Sequence, residues 1–236
     1  MEHWDAAQYL KFKQQRTRPA IDLAARIPLE HPEKIADIGC GPGNSTAVLK
    51  QRFPGAKIVG ADSSADMIAA AEQAHPEMQF IQCDAQTELE KLGQDYDVVF
   101  SNACLQWIPD HPVMIPKMLQ MLRPGGVLAV QIPVNYEEPI HKIISRLIQS
   151  PQWKGYFHRP QAMYHLTPAT YYDLLSESAA EFHMWQTTYF HHMPSHAAIL
   201  EWYRGTGLRP YLEVLPPEKQ DAFSEAVLRE VQRAYP

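Results

Sequence analysis

Between residues 34 and 132 five short apolar runs alternate with stretches whose apolar spacing fits a helix. The runs are Lys34 to Ile38, Lys57 to Ala61, Met78 to Gln82, Tyr96 to Phe100 and Val127 to Ile132, with Ser45 to Arg52 and Ser63 to Ala74 helical between the first three. Strands separated by helices select parallel pairing through right-handed crossovers, so the expected fold is α/β, a doubly wound, mostly parallel sheet with helices on both faces. Beyond Pro133 the alternation stops. Pro139 to Ser150, Pro168 to Ala180, Ser195 to Arg204 and Pro217 to Ala234 read as helices. Phe182 to Phe190 reads as a sixth strand, with Trp185, Thr187 and Tyr189 alternating against Met184, Gln186 and Thr188. The expected organisation is an N-terminal helical lid over 1–30, a ligand-binding core over 31–133, and a helical lobe with the sixth strand over 134–236.

A chain of 236 residues buries enough surface to hold a core without staples. Its 21 Lys+Arg against 27 Asp+Glu leave a net charge of −6, which argues against a nucleic-acid reader with its basic face. Cys40, Cys83 and Cys104 are the only cysteines and form no CxxC pair, so a reducing, cytoplasmic setting is expected. Neither a signal-peptide pattern at Met1 nor an apolar run of about 18 residues is present, which argues against secretion and membrane spanning.

The chemistry concentrates in Asp37-Ile-Gly39-Cys-Gly41-Pro-Gly43-Asn44, between the first strand and the first core helix. Glycines there let the backbone turn tightly and approach a ligand. A dinucleotide loop wants G-x-G-x-x-G; here the third glycine comes one position early and Asn44 stands in the expected place. A carboxylate two residues before Gly39 suits a cationic ligand and would repel a diphosphate, so S-adenosylmethionine is preferred over a dinucleotide. Asp62 ends the second strand, where a carboxylate can meet a ribose diol, and Asp84 ends the third, where it can accept from an adenine amino group. A turn or N-cap role competes at each acid, most of all at Asp62, which Ser63 and Ser64 follow.

The segments Asp37-Ile-Gly39-Cys-Gly41-Pro-Gly43-Asn44-Ser45-Thr46, Asp62-Ser-Ser-Ala-Asp-Met67-Ile68 and Ser101-Asn102-Ala-Cys-Leu105-Gln106-Trp107-Ile-Pro-Asp110-His111 resemble the class I S-adenosylmethionine-dependent methyltransferases. Arg16-Thr-Arg18-Pro19, Thr187-Thr-Tyr189-Phe-His191-His-Met-Pro194 and Thr206-Gly207-Leu208-Arg209-Pro210 are similar to the smaller trans-aconitate methyltransferase group within it. The resemblance implies that Gly39, Gly41 and Gly43 pass beneath the methionine part of the cofactor and that Asp37 holds its ammonium. It further implies that Asp62 takes the ribose hydroxyls with Ser63 and Met67 beside it, that Asp84 and Ala85 face the adenine, and that Asn102 and Leu105 line the sulfonium side. S-adenosylhomocysteine would be the product left behind. Other small-molecule oxygen, nitrogen or carbon acceptors, and a cofactor-binding domain without turnover, are the alternative readings.

A carboxylate acceptor is ionised near neutrality, so no general base is needed and no catalytic residue is named. The carboxylates that do not react must be met by cations and donors. Candidates are Arg16, Trp107, Tyr136, His191 and Arg209, with Arg18, Arg159, Arg204, His192, Tyr164 and Tyr189 behind them; Trp107 is equally compatible with core packing. Pro194 and the lack of an HExxH pattern speak against a metal among His191, His192 and His196. The protein is expected as a monomer or weak homo-oligomer. The resemblance implies a seven-stranded sheet, yet the chain ends at Pro236 directly after its last helix, so either truncation or a sheet lacking strand seven is expected.

Overall fold

A computed structural model describes residues 12–158 and 163–236. The chain divides into two compact units, one comprising residues 13–133 and 163–188, the other residues 134–158 and 189–236 together with Phe12 among the described residues. The segment 163–188, expected in the lobe, therefore groups with the core.

In the first unit the elements are α1 (Lys13–Ala24), β1 (Lys34–Ile38), α2 (Asn44–Arg52), β2 (Lys57–Asp62), α3 (Ala65–Ala74), β3 (Gln79–Gln82), β4 (Tyr96–Asn102), α4 (His111–Gln120), β5 (Leu122–Gln131) and, after the other unit's first helix, α6 (Pro168–Ser178). All strand pairings are parallel, in the order β3-β2-β1-β4-β5. Because the sheet is covered on both faces, successive residues of one strand enter different cores, and the strands read as nearly unbroken apolar runs. Ile35, Ile58, Val98 and Phe100 pack with Leu23 of α1 and Leu49 of α2. Ala36, Ile38, Val59 and Val99 pack on the opposite side with Met114 and Met118 of α4 and with Tyr171 and Leu174 of α6.

Three expectations change. Phe182 to Phe190 forms no strand: its alternation of aromatic and β-branched residues has no alternating burial to match, and only Phe182 and Tyr189 are even half-buried. Such residues favour a strand only where a neighbouring surface packs one face. β5 begins at Leu122, five residues before the expected start, because the Pro-Gly-Gly stretch is absorbed as a bulge in which Tyr96 pairs with Leu122 and Val98 with Val127. Helix α1, expected in a lid, is a layer of the sandwich, its Ala20, Leu23 and Ala24 buried with Ile35 and Phe53. Trp4 and Tyr9 of the expected lid lie outside the described residues.

In the second unit α5 (Pro139–Ile148), α7 (His196–Arg204), α8 (Arg209–Val214) and α9 (Pro217–Ala234) surround one apolar core. Ile140, Ile143 and Ile144 of α5 recur on one helical face and meet Phe223, Val227 and Val231 of α9. Trp153 packs edge-on against Phe223, with ring centroids 5.0 Å apart.

Candidate active site

The order β3-β2-β1-β4-β5 reverses direction between β1 and β4, and open α/β sheets bind ligands in the crevice at the carboxyl ends of strands beside such a point. Asp37 stands near the carboxyl end of β1, Asp62 ends β2, Asp84 follows β3 by two residues and Asn102 ends β4. The four polar positions read from the sequence thus lie at or just beyond the carboxyl ends of adjacent strands.

Gly39, Gly41 and Gly43 all adopt positive φ, at 73°, 53° and 85°, which an L side chain rarely tolerates. The three are held differently. A Cβ on Gly39 would collide with the Sγ and Cβ of Cys104, and one on Gly43 would come within 2.9 Å of the His75 ring, whereas one on Gly41 would meet no atom within 4 Å. Gly41 therefore opens onto free space while its neighbours are locked from behind, the shape needed where a ligand passes over a backbone. Its N–H donates to Asp62 Oδ2 at 2.9 Å, and Asp62 Oδ1 accepts the Ser64 N–H at 2.9 Å. One carboxylate thereby fixes the glycine loop to the end of β2 and keeps a second lone pair on each oxygen. Burial raises the Asp62 pKa, opposed by these two N–H donors.

Asp37 is fully buried. Its Oδ2 accepts the hydroxyls of Ser45 and Thr46, each at 2.7 Å, while its Oδ1 is buried without a partner. Burial pushes the carboxyl up to about 6; the two hydroxyls offset this in part and the Asp62 charge adds to it. A buried carboxylate with one unanswered oxygen calls for a cation. Asn102 Oδ1 is likewise buried and unpartnered.

Asp84 is exposed, and its Oδ1 accepts the Gln86 N–H at 2.9 Å, so the carboxylate turns the chain without being used up. Ala85, Met67 and Leu105 are buried at 9%, 2% and 0% exposure. Ser63 is exposed, with its carbonyl accepting from Gln82 Nε2; the N-cap of α3 is Ser64, whose hydroxyl accepts the Met67 N–H. The N-cap role weighed for Asp62 therefore falls to Ser64, and Asp62 holds the Ser64 N–H instead.

The residues proposed for the acceptor are divided. Arg16, on α1, and Trp107, at the end of a single 3-10 turn (Leu105–Trp107), are half-buried in the first unit. Tyr136 is 46% exposed in the second unit. His191 is exposed there, 5.0 Å from the Trp202 ring. Arg209 opens α8 with its side chain 11% exposed and Nε 3.4 Å from Glu213. Arg159 lies outside the described residues. Sequence reasoning assigned no role to Ser45, Thr46 or Cys104. The first two were signalled by hydroxyls at the start of the helix that follows the loop; nothing in the sequence brings Cys104 beneath Gly39.

The chain as a whole is similar to known proteins. Residues 35–126 match the model of a methyltransferase domain. Over 100% of its length the chain is 46% identical to a trans-aconitate 2-methyltransferase of Azoarcus sp., covering 92% of that protein, and 44% identical to one of Escherichia coli, covering 91% of it. The chain belongs to the trans-aconitate 2-methyltransferase family. Among solved structures, a phosphoethanolamine N-methyltransferase of Haemonchus contortus in complex with S-adenosyl-L-methionine has a TM-score of 0.56 at 20% identity, with 91% of this chain covering 48% of that one. In this chain the glycine loop follows β1, beside the point where the strand order turns from β1 to β4.

Proposed function

We infer that this chain transfers the methyl group of S-adenosylmethionine to a carboxylate of trans-aconitate, giving a monomethyl ester and S-adenosylhomocysteine. The observation that carries this reading is identity of 46% running through the whole chain, lobe included, to a trans-aconitate 2-methyltransferase; a shared core alone would have left the acceptor open.

The residues present fit the cofactor. Asp37 Oδ1, buried and unanswered, suits its ammonium, the open backbone at Gly41 admits its methionine part, and the free lone pairs of Asp62 suit its ribose diol. Asp84 and the Ala85 amide then face the adenine, with Asn102 and Leu105 on the sulfonium side. Bound there, the cofactor supplies an electrophilic methyl group on a cationic sulfur. The protein's task is alignment of acceptor oxygen, methyl carbon and sulfur, for which orientation supplies about 7–11 kcal/mol. A carboxylate acceptor arrives ionised, so no side chain is asked to remove a proton. The carboxylates that stay behind need donors, and the side chains assigned to that task are Arg16 and Trp107 within the first unit and, taken separately, Arg209, His191 and Tyr136 within the second. With a net charge of −6, the protein as a whole repels a polycarboxylate, so recruitment depends on such local cations.

Incubation with methyl-labelled S-adenosylmethionine and trans-aconitate should place label in an ester cleaved by mild base. Absence of transfer to trans-aconitate and to related tricarboxylates, from protein that binds S-adenosylhomocysteine, would refute the acceptor assignment and leave the cofactor site standing.

A further inference from the structure

The turn after β4 is pressed against the glycine loop, and its backbone is strained at both ends. Cys104 fills the space a Cβ on Gly39 would need, while Ala103 and Asp110, neither a glycine, sit at φ 52° and 56°. Such conformations persist only where the surroundings over-determine them. Beside this turn runs a chain of hydrogen bonds. His111, 2% exposed, has its Nε2 2.8 Å from the carbonyl of Leu105 and its Nδ1 2.6 Å from the hydroxyl of Tyr171. A carbonyl only accepts, so Nε2 carries the hydrogen and Nδ1 accepts the Tyr171 proton in the neutral ring. The Tyr171 oxygen in turn accepts the Leu166 N–H at 3.3 Å. A backbone bond from Tyr164 N–H to the Gln106 carbonyl, 2.8 Å, ties the same segment to the next residue of the turn.

We propose that His111 and Tyr171 are positioning residues for the cofactor: their relay holds the turn Ala103–Trp107 in the strained shape that completes the crevice around Gly39 and Asn102. The inference rests on the reading of this crevice as the S-adenosylmethionine site, and it does not depend on which acid is methylated. Each hydrogen bond runs donor to acceptor without a gap from Leu166 through Tyr171 and His111 to Leu105, so removing one group releases the turn at a distance from the ligand.

The test is calorimetric titration with S-adenosylhomocysteine, well below the melting temperature of each variant. Tyr171→Phe, which deletes one hydroxyl of a half-buried side chain, should weaken binding about five- to tenfold, the scale of one buried hydrogen bond. His111→Asn keeps an acceptor for Tyr171 and loses the donor to Leu105, and should weaken it at least as much. His111→Gln, whose amide nitrogen can reach the Leu105 carbonyl, should recover most of the loss. In the double variant His111→Asn, Tyr171→Phe the loss should match the larger single effect, since both act through one relay. Folded Tyr171→Phe and His111→Asn proteins with wild-type affinity would overturn the proposal. If the wild type binds no S-adenosylhomocysteine, the cofactor reading falls and this proposal with it. If it binds yet methylates no tricarboxylate, the acceptor assignment alone falls and the affinities still decide the relay.

Discussion

Asp62 and Gly41 are joined by a 2.9 Å hydrogen bond in which the glycine N–H donates to the carboxylate, across 21 residues of sequence. The same side chain holds the Ser64 N–H, so the acid proposed for the ribose also shapes the glycine loop. Asp62→Ala removes both functions. Hydrogen bonds to a charged group contribute about 1.5–3 kcal/mol each, so S-adenosylhomocysteine affinity should fall about 10- to 100-fold or more by calorimetry. Asp62→Asn presents its amide N–H to one of two backbone donors and should recover only part of the loss. Wild-type affinity in Asp62→Ala would remove Asp62 from the site.

With Asp37 proposed to hold the cofactor's ammonium, cofactor binding should depend on pH. The Asp37 carboxyl is pushed up to about 6 from an ordinary 3.8, so between these values the folded state holds a proton that the unfolded chain releases. The stability this contributes is fully present below pH 3.8 and lost as pH rises through 6; at about 1.4 kcal/mol per pH unit the difference is about 3 kcal/mol. Asp37→Asn cannot titrate there. Relative to that variant, wild type without cofactor should lose about that much stability between pH 4 and pH 7.5 in denaturant titrations. Binding has the opposite sign, because an ammonium requires the ionised carboxylate. S-adenosylhomocysteine affinity should drop toward tenfold per pH unit below 6 in wild type and stay flat in Asp37→Asn.

The fold was legible wherever local pattern and tertiary environment agree. Lys34–Ile38 is β1 residue for residue, because a strand buried on both faces has no alternation to misread, and the glycines at 39, 41 and 43 announce a backbone that other residues rarely adopt. Phe182 to Phe190 shows the limit: its alternation is real, but burial, which the sequence does not carry, is missing. Among the site residues, Asp62 and Gly41 could each be named in advance, whereas their hydrogen bond and the hydroxyls on Asp37 depend on where β2 ends and α2 begins. Cys104 and Tyr171 were hidden for the same reason. Their importance comes from partners 65 and 60 positions away, Gly39 and His111, and no short-range spacing encodes that.

Gly39→Ala should be strongly destabilising for two separable reasons. A positive φ costs an alanine about 1–2 kcal/mol, and overpacking against Cys104 adds about 1–3 kcal/mol. At about 2–4 °C per kcal/mol for a chain of this size, melting should fall by roughly 5–20 °C. Since the new methyl meets the Cβ of Cys104 as well as its sulfur, Cys104→Ala should not rescue it, while Cys104→Gly should restore the packing part and leave the backbone strain. Full rescue by Cys104→Ala in thermal melts would refute the assigned contact. Burial pushes the Cys104 thiol up to about 12, so it should also resist iodoacetamide at pH 8 in the native protein, where an ordinary exposed thiol reacts.

Arg209, proposed for the acceptor, offers a substitution that should separate acceptor binding from cofactor binding. Its side chain is only 11% exposed, beside a Glu213 side chain that is 46% exposed, at the start of a six-residue helix. Carboxylate recognition uses the planar guanidinium fork two bonds at a time, and lysine retains only the charge. Arg209→Lys should therefore raise the KM for trans-aconitate about 10- to 100-fold, the loss of about 1.5–3 kcal/mol in charge-assisted hydrogen bonding, and leave S-adenosylhomocysteine affinity unchanged. Glu213→Gln supplies the control. If Arg209 serves only to hold α8 through Glu213, both variants should lower the melting temperature with KM untouched, and Arg209 leaves the acceptor site; if it binds substrate, only Arg209→Lys moves KM.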